Sequence, residues 1–212
     1  MLYPEFKITP VVFGRSVLPE SWVFQNGSEE TKLPILFMVY LIKTQNRMIL
    51  VDAGCETMPG FVMEDFIGPV KALHKIGVHP EDITDVIITH SHSDHIECVK
   101  YFTSAEVYIQ KDEYENGKSY FASEQTVHTF DGEMSVCDGV KVIKVGGHSV
   151  GSSVIEIVTK EKPTIITGDE FYSRQCITKG IIPGAPYSPE NSRKFLNICQ
   201  SGKYKILLAH DE

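Results

Sequence analysis

The chain has 212 residues, 42 % of them hydrophobic and 23 % charged, which suits one domain of ordinary size, or at most two small ones, with a core that needs no disulfides. Twenty-eight acidic against 20 basic residues give a formal charge of -8 at pH 7, and the scattered lysines and arginines offer no basic face for a nucleic acid. The five cysteines are odd in number and contain no Cys-x-x-Cys pair, MLYPEFKITP has no basic start or apolar stretch of a signal peptide, and the longest apolar run, Leu33–Ile42, is far short of the ~20 residues that span a bilayer. These features lead us to expect a cytoplasmic protein with neither a nucleic-acid nor a membrane partner. In chain order, Phe6–Phe13 reads as a strand and residues 24–34, with Asn26-Gly27, as a loop. Ile35–Lys43 and Met48–Val51 flank the polar turn Thr44-Gln45-Asn46, a hairpin signal. Pro69–Gly77 reads as a helix with Pro69 at its first position and a Val70, Leu73, Ile76 stripe. Asp85–Thr89, Val107–Gln110, Val140–Val145, Val154–Val158 and Thr164–Thr167 are strand candidates. Ser188 is placed to cap a helix opening with Pro189, its apolar side including Phe195, Ile198 and Cys199, and Ile206–Ala209 reads as a last strand. The pattern predicts one domain of mixed α and β structure over residues 1–212.

The chemistry is concentrated in Thr89-His90-Ser91-His92-Ser93-Asp94-His95. An apolar strand runs directly into His-x-His-x-Asp-His, and alternation along an extended chain puts His90 and His92 on one side. Imidazoles and a carboxylate crowded into six residues suit zinc, with iron or manganese also compatible. Three further positions fit the same chemistry. His148 lies in the glycine-rich turn Gly146-Gly147-His148, Asp169 ends the apolar run Ile165-Ile166-Thr167-Gly168, and His210 ends Leu207-Leu208-Ala209. Each of the three, taken singly, is equally a polar residue at a strand end; their joint occurrence carries the weight.

The ordered set His90, His92, Asp94, His95, His148, Asp169 and His210 resembles the metal-binding set of the metallo-β-lactamase superfamily, and Val51-Asp52-Ala53-Gly54 resembles that family's early motif. The resemblance implies an αββα sandwich: two mixed β-sheets flanked by helices. It also implies two divalent ions, with zinc the first expectation. His90, His92 and His148 would hold one ion, Asp94, His95 and His210 the other, and Asp169 would bridge them. Within the superfamily the chain most resembles the N-acyl homoserine lactone lactonases. The features are the stretch from Val107 to Glu115, Tyr172 three residues after Asp169, and the closing His210-Asp211. The chain departs from those lactonases at Ile96, Glu97 and Cys98, where they carry small residues, and at Ser93, where they carry an aromatic one.

The implied activity is hydrolysis of a small ester or lactone, N-acyl homoserine lactone among them. Two close ions lower the pKa of a shared water toward ~7, so that hydroxide attacks the carbonyl. Tyr172 would donate to the developing oxyanion, and Asp94 would pass a proton to the leaving alkoxide. Asp52 is expected to accept a hydrogen bond from a ligand histidine. Two alternatives use similar ligands: a thioester hydrolase of the glyoxalase II type and a mononuclear iron persulfide dioxygenase. The stretch Met58, Phe61, Val62, Met63, Phe66, Ile67 suits core packing or an acyl pocket wall, packing being the stronger expectation. His74, His79 and His128 are read as ordinary surface or hydrogen-bonding histidines, and Cys98 receives no ligand role.

Overall fold

The computed structural model describes residues 5–57 and 62–211, so Met58, Phe61 and Glu212 lie outside the described residues. The chain forms two compact units. One holds Leu36–Asp131 with the N-terminal stretch up to Ser16; the other holds Val17–Ile35 and the chain from Gly132 onward.

The first sheet has the order β1-β2-β3-β4-β5-β6, with β1 (Lys7–Pro19), β2 (Lys32–Lys43), β3 (Met48–Val51), β4 (Asp85–Ile88), β5 (Glu106–Gln110) and β6 (Thr126–Phe130). The expected hairpin is present: β2 and β3 pair antiparallel, and the Thr44 hydroxyl accepts from the backbone N–H groups of Asn46 (3.2 Å) and Arg47 (2.9 Å) to close the turn. From β3 to β6 the neighbours run parallel. Parallel neighbours need crossovers. Between β1 and β2 lies α1 (Glu20–Val23), between β3 and β4 lies α2 (Pro69–Lys75), between β4 and β5 lies α3 (Ser93–Ile96), and between β5 and β6 lies α4 (Lys111–Gly117). All four residues of β4 are buried, which is why its sequence is an unbroken apolar run after Asp85.

The second sheet has the order β11-β10-β9-β8-β7, with β7 (Glu133–Cys137), β8 (Val140–Lys144), β9 (Ser153–Ile157), β10 (Thr164–Ile166) and β11 (Lys205–Leu207). Here β7 to β10 run antiparallel and β10–β11 is parallel, its crossover carrying α5 (Arg174–Lys179) and α6 (Pro189–Gln200). Two mixed sheets with helices is the fold class the sequence implied.

Three details differ from expectation. Strands β6 and β7 escape sequence reading because each is the edge of its sheet and buries little, so neither carries a strong apolar alternation. Helix α6 buries Ser192, Phe195, Leu196 and Cys199, an i, i+3, i+4, i+7 face, while Ile198 is 46 % exposed. Helix α2 likewise buries Ala72 and Leu73 and leaves Ile76 after its end, exposed.

Candidate functional site

In the unit holding Leu36–Asp131, β4 ends and the chain turns through His90 into α3, with His92 extended at the N-cap (φ -66°, ψ 146°). His90 and His95 are buried, Asp94 is half-buried and His92 exposed. The rings of His90 and His92 are 4.6 Å apart, those of His90 and His95 4.2 Å, and His95 Nε2 is 3.4 Å from Asp94 Oδ2. Four ligand-type side chains are thus gathered at one corner.

Two buried carboxylates organise that corner. Asp52, at the end of β3, sits in left-handed backbone (φ 61°), a conformation that aspartate tolerates better than most residues. Its Oδ1 accepts from the Thr89 N–H (2.7 Å), and its Oδ2 from the Thr89 hydroxyl (3.0 Å) and from His95 Nδ1 (2.8 Å). A carboxylate only accepts, so Nδ1 of His95 carries the proton and Nε2 is the nitrogen with a lone pair for a metal. The same corner grips α3 through its backbone, because Ala53 and Gly54 both donate to the His95 carbonyl (2.7 and 3.2 Å). The expected role of Asp52 is therefore present, and His95 is its partner. The second carboxylate, Glu113 of α4, is 1 % exposed and accepts from the Ser91 N–H (2.9 Å) and hydroxyl (2.5 Å), which fixes the residue between His90 and His92. Gln110 caps the start of α4, its Oε1 accepting from the N–H groups of Asp112 and Glu113. Sequence reasoning missed Glu113, whose role depends on a tertiary approach that no local pattern encodes.

Of the residues that depart from the lactonase pattern, two are packed inside and a third holds a turn by hydrogen bonds. Ile96 and Cys98 are fully buried, and Glu97 accepts from the N–H groups of Glu56 (3.0 Å) and Thr57 (3.1 Å) and from the Thr57 hydroxyl (2.8 Å). Burial, with Asp94 and Glu97 adding, pushes the Cys55 thiol up to about 12; burial also pushes Cys98 well up. Phe66, half-buried, packs edge-on against Phe13 at 6.3 Å, and with Ile67, Pro69, Cys98 and Tyr101 it lines a cavity of about 510 Å³. Val62 is 81 % exposed. The other histidines are ordinary, as expected: His74 and His79 lie ring to ring at 4.7 Å, and His128 pairs with Glu106 and stacks on Tyr108.

In the unit from Gly132 onward, His148 lies in the turn between β8 and β9, Asp169 in the 3-10 turn Gly168–Glu170 after β10, and His210 just past β11. The β10–β11 pairing continues through Thr167 N–H to the Leu207 carbonyl (3.0 Å), which brings the last two together. Asp169 is 4 % exposed. Its Oδ1 is 3.0 Å from His210 Nε2, and its Oδ2 is 3.7 Å from His148 Nε2. Tyr172 stacks on the His210 ring (5.3 Å, 21°) and meets the His148 ring edge-on (5.9 Å, 77°). Asp211 accepts from the Ser173 hydroxyl (2.9 Å) and the Arg174 N–H (2.7 Å), tying the chain after His210 to the segment after Tyr172.

The turn bearing His148 is also tied down. Its carbonyls face the approach to α6: Asn191 Nδ2 donates to Gly146 O (3.2 Å), Ser188 N–H to Gly147 O (3.0 Å) and Tyr187 N–H to His148 O (3.3 Å). Its amides face Glu170, the residue after Asp169, whose Oε1 accepts from Gly147 N–H (3.2 Å), His148 N–H (3.3 Å) and the Ser152 hydroxyl (2.5 Å). Burial pushes the Glu170 carboxyl up to about 7, against the pull of those hydrogen bonds. Gly147 has no room for a side chain: a Cβ there would lie 2.2 Å from Glu170 Oε2 and 2.7 Å from Ser192 Oγ.

Comparison with known proteins agrees with this chemistry. The family model described as the metallo-beta-lactamase superfamily matches residues 38–210. The N-acyl homoserine lactonase AiiA of Bacillus thuringiensis subsp. kurstaki is 25 % identical over 228 residues, covering 93 % of this chain and 90 % of that protein. A crystal structure of a quorum-quenching N-acyl homoserine lactone lactonase superposes with a TM-score of 0.82 at 26 % identity, covering 99 % of this chain and 93 % of that one. AidC, a dizinc quorum-quenching lactonase, shares the fold with a TM-score of 0.78 at 17 % identity, covering 100 % of this chain and 89 % of that one.

Proposed function

The chain belongs to the metallo-β-lactamase superfamily, and from that premise we propose that it is a dinuclear metal-dependent hydrolase that opens small lactones, N-acyl homoserine lactones first among them. The observation that carries the proposal is Asp169, whose two oxygens face two different imidazoles, His210 at 3.0 Å and His148 at 3.7 Å. A carboxylate that turns one oxygen to each of two imidazoles supports reading Asp169 as a ligand shared between two cations. One family model runs through both units, which supports reading residues 1–212 as a single metallo-β-lactamase-like domain.

The donor set fits the ions. Histidine nitrogens and carboxylate oxygens, with no cysteine among them, suit borderline divalent cations such as zinc. We assign His90, His92 and His148 to one ion and Asp94, His95 and His210 to the other, with Asp169 shared. Two ions held there would make hydroxide available at neutral pH and would polarise the substrate carbonyl. The chain's own residues do the rest. Asp52 holds the His95 proton on Nδ1 and so presents Nε2. Glu113 fixes the Ser91 backbone and with it the relative placement of His90 and His92. Tyr172, packed against His148 and His210, donates to the oxyanion as the carbonyl becomes tetrahedral. Asp94 takes up the proton that the attacking hydroxide brings, as the tetrahedral species collapses, and passes it to the alkoxide released when the ring opens. The substrate is a small molecule; among the described residues no helix is long and apolar enough to cross a membrane. Four buried thiols, those of Cys55, Cys98, Cys176 and Cys199, support placement in the reducing cytoplasm.

Elemental analysis of the purified protein, paired with hydrolysis assays on lactones, aryl esters and thioesters, tests the proposal. About two zinc per chain with lactone turnover supports it. About one iron per chain with oxygen uptake on a persulfide, or turnover confined to thioesters, overturns it.

A further inference from the structure

We propose that Glu170 is a positioning residue for metal binding: it sets the place of His148 relative to Asp169 by holding the backbone of the turn that carries His148. The inference rests on the metal-centre reading above and deepens it.

The geometry is specific. Asp169 and Glu170 are consecutive in a 3-10 turn, and both are buried. The Asp169 carboxylate faces His148 and His210, while the Glu170 carboxylate reaches the peptide N–H groups of Gly147 and His148 and the Ser152 hydroxyl. The Ser152 hydroxyl lies within 3.2 Å of the His148 N–H and 3.1 Å of the Ser149 N–H, so it extends the hold to the far side of the turn. One rigid turn thus supplies a ligand with one residue and the brace for another ligand with the next. The spacing between Asp169 and His148 then depends on two short bonded paths as well as on the strands between them. Burying a carboxylate is costly unless it is well hydrogen-bonded, and a packing role alone would be met by an apolar side chain of similar size. The close fit of Gly147 follows from the same arrangement, since any Cβ there would strike Glu170 Oε2.

The test is a zinc titration of the metal-free full chain against a chromophoric chelator, for wild type, Glu170→Ala, Glu170→Gln and Ser152→Ala, with circular dichroism and thermal melting of each metal-free form. Partners outside the ligand shell typically carry ~10–100-fold in metal affinity. The expected result is a loss of that order for Glu170→Ala with the metal-free protein still folded. Glu170→Gln, which keeps the length and one acceptor oxygen, restores most of the affinity, and Ser152→Ala shows a smaller loss in the same direction. Wild-type affinity in Glu170→Ala overturns the proposal, as does loss of melting temperature in the metal-free form with zinc affinity unchanged. If Glu170→Ala does not fold, unchanged zinc affinity in a folded Ser152→Ala overturns it. A wild-type chain that binds no zinc removes the metal-centre reading and this proposal together, a result distinct from variants that equal a zinc-binding wild type.

Discussion

The two units solve the same problem in different ways. At the end of β4 four candidate ligands come from one six-residue run, so covalent geometry sets their rough spacing and distant groups only orient them: Asp52 the His95 ring, Glu113 the Ser91 backbone. In the unit from Gly132 onward, His148, Asp169 and His210 come from a turn and two strand ends, so their spacing is set by the register of β10 on β11 and by the bonds that hold the turn. The first group is local and oriented from outside. The second is assembled by tertiary structure and has no local fallback. The difference predicts that damage to the sheet or its braces harms the second group more than the first.

The largest expected effect tests the dispersed group at its centre. Asp169→Ala should cut lactone turnover well beyond the ~10–100-fold that loss of an outer partner costs, and should lower the metal content. Elemental analysis showing two ions retained with full turnover would break the assignment of Asp169 as the shared ligand. Next, Tyr172→Phe removes a hydroxyl but keeps the ring that stacks on His210, so kcat should fall about 100-fold with KM little changed, the scale of one oxyanion donor. A steady-state profile with kcat at the wild-type value would sink that role.

Asp52→Ala probes the local group. It leaves the Thr89 N–H and the His95 Nδ1 proton buried without their acceptor, at a cost of about 1–3 kcal/mol for a stranded group, and metal affinity should fall ~10–100-fold. Denaturant melts and zinc titration read the two effects separately. If Asp52→Ala proves milder in both than Glu170→Ala, the contrast between a local and a dispersed group is sharpened; if harsher, it fails. The smallest effect concerns thiols in both units. Burial pushes Cys55 and Cys199 up to about 12 and Cys176 up to about 11, so at pH 8 these groups stay protonated, and only a thiolate attacks an alkylating agent. Iodoacetamide at pH 8 should therefore modify the half-buried Cys137 first, the others reacting only on denaturation, as mass spectrometry of the native protein would show.

The same contrast explains what could be read from sequence. His90, His92, Asp94 and His95 were legible because they fall within six residues and follow an unbroken buried strand. His148, Asp169 and His210 were legible only as an ordered set, since a lone polar residue at a strand end has many ordinary explanations. The aspartate of Val51-Asp52-Ala53-Gly54 could be anticipated, but not its left-handed backbone or its choice of His95. Glu113 and Glu170 could not be anticipated at all, for their work depends on which backbone amides the fold brings near them. In the frame of the fold, the buried strands announced themselves and the edge strands β6 and β7 did not. Ile76 and Ile198 were assigned inward because apolar character suggests burial, yet α2 ends before Ile76 and the phase of α6 turns Ile198 toward solvent.

The fit between residue 147 and residue 170 has a consequence for descent. Because a Cβ at position 147 would lie 2.2 Å from the Glu170 carboxylate, the two positions cannot drift independently. Alanine or anything larger at the first requires the Glu170 carboxylate and the Ser192 hydroxyl to move aside, which strains the bonds that hold the His148 turn. Kindred sequences that keep Glu at the second position should therefore carry Gly at the first, the pairing of Glu with a larger residue being the rare genotype, and a library randomised at both positions should show the same bias.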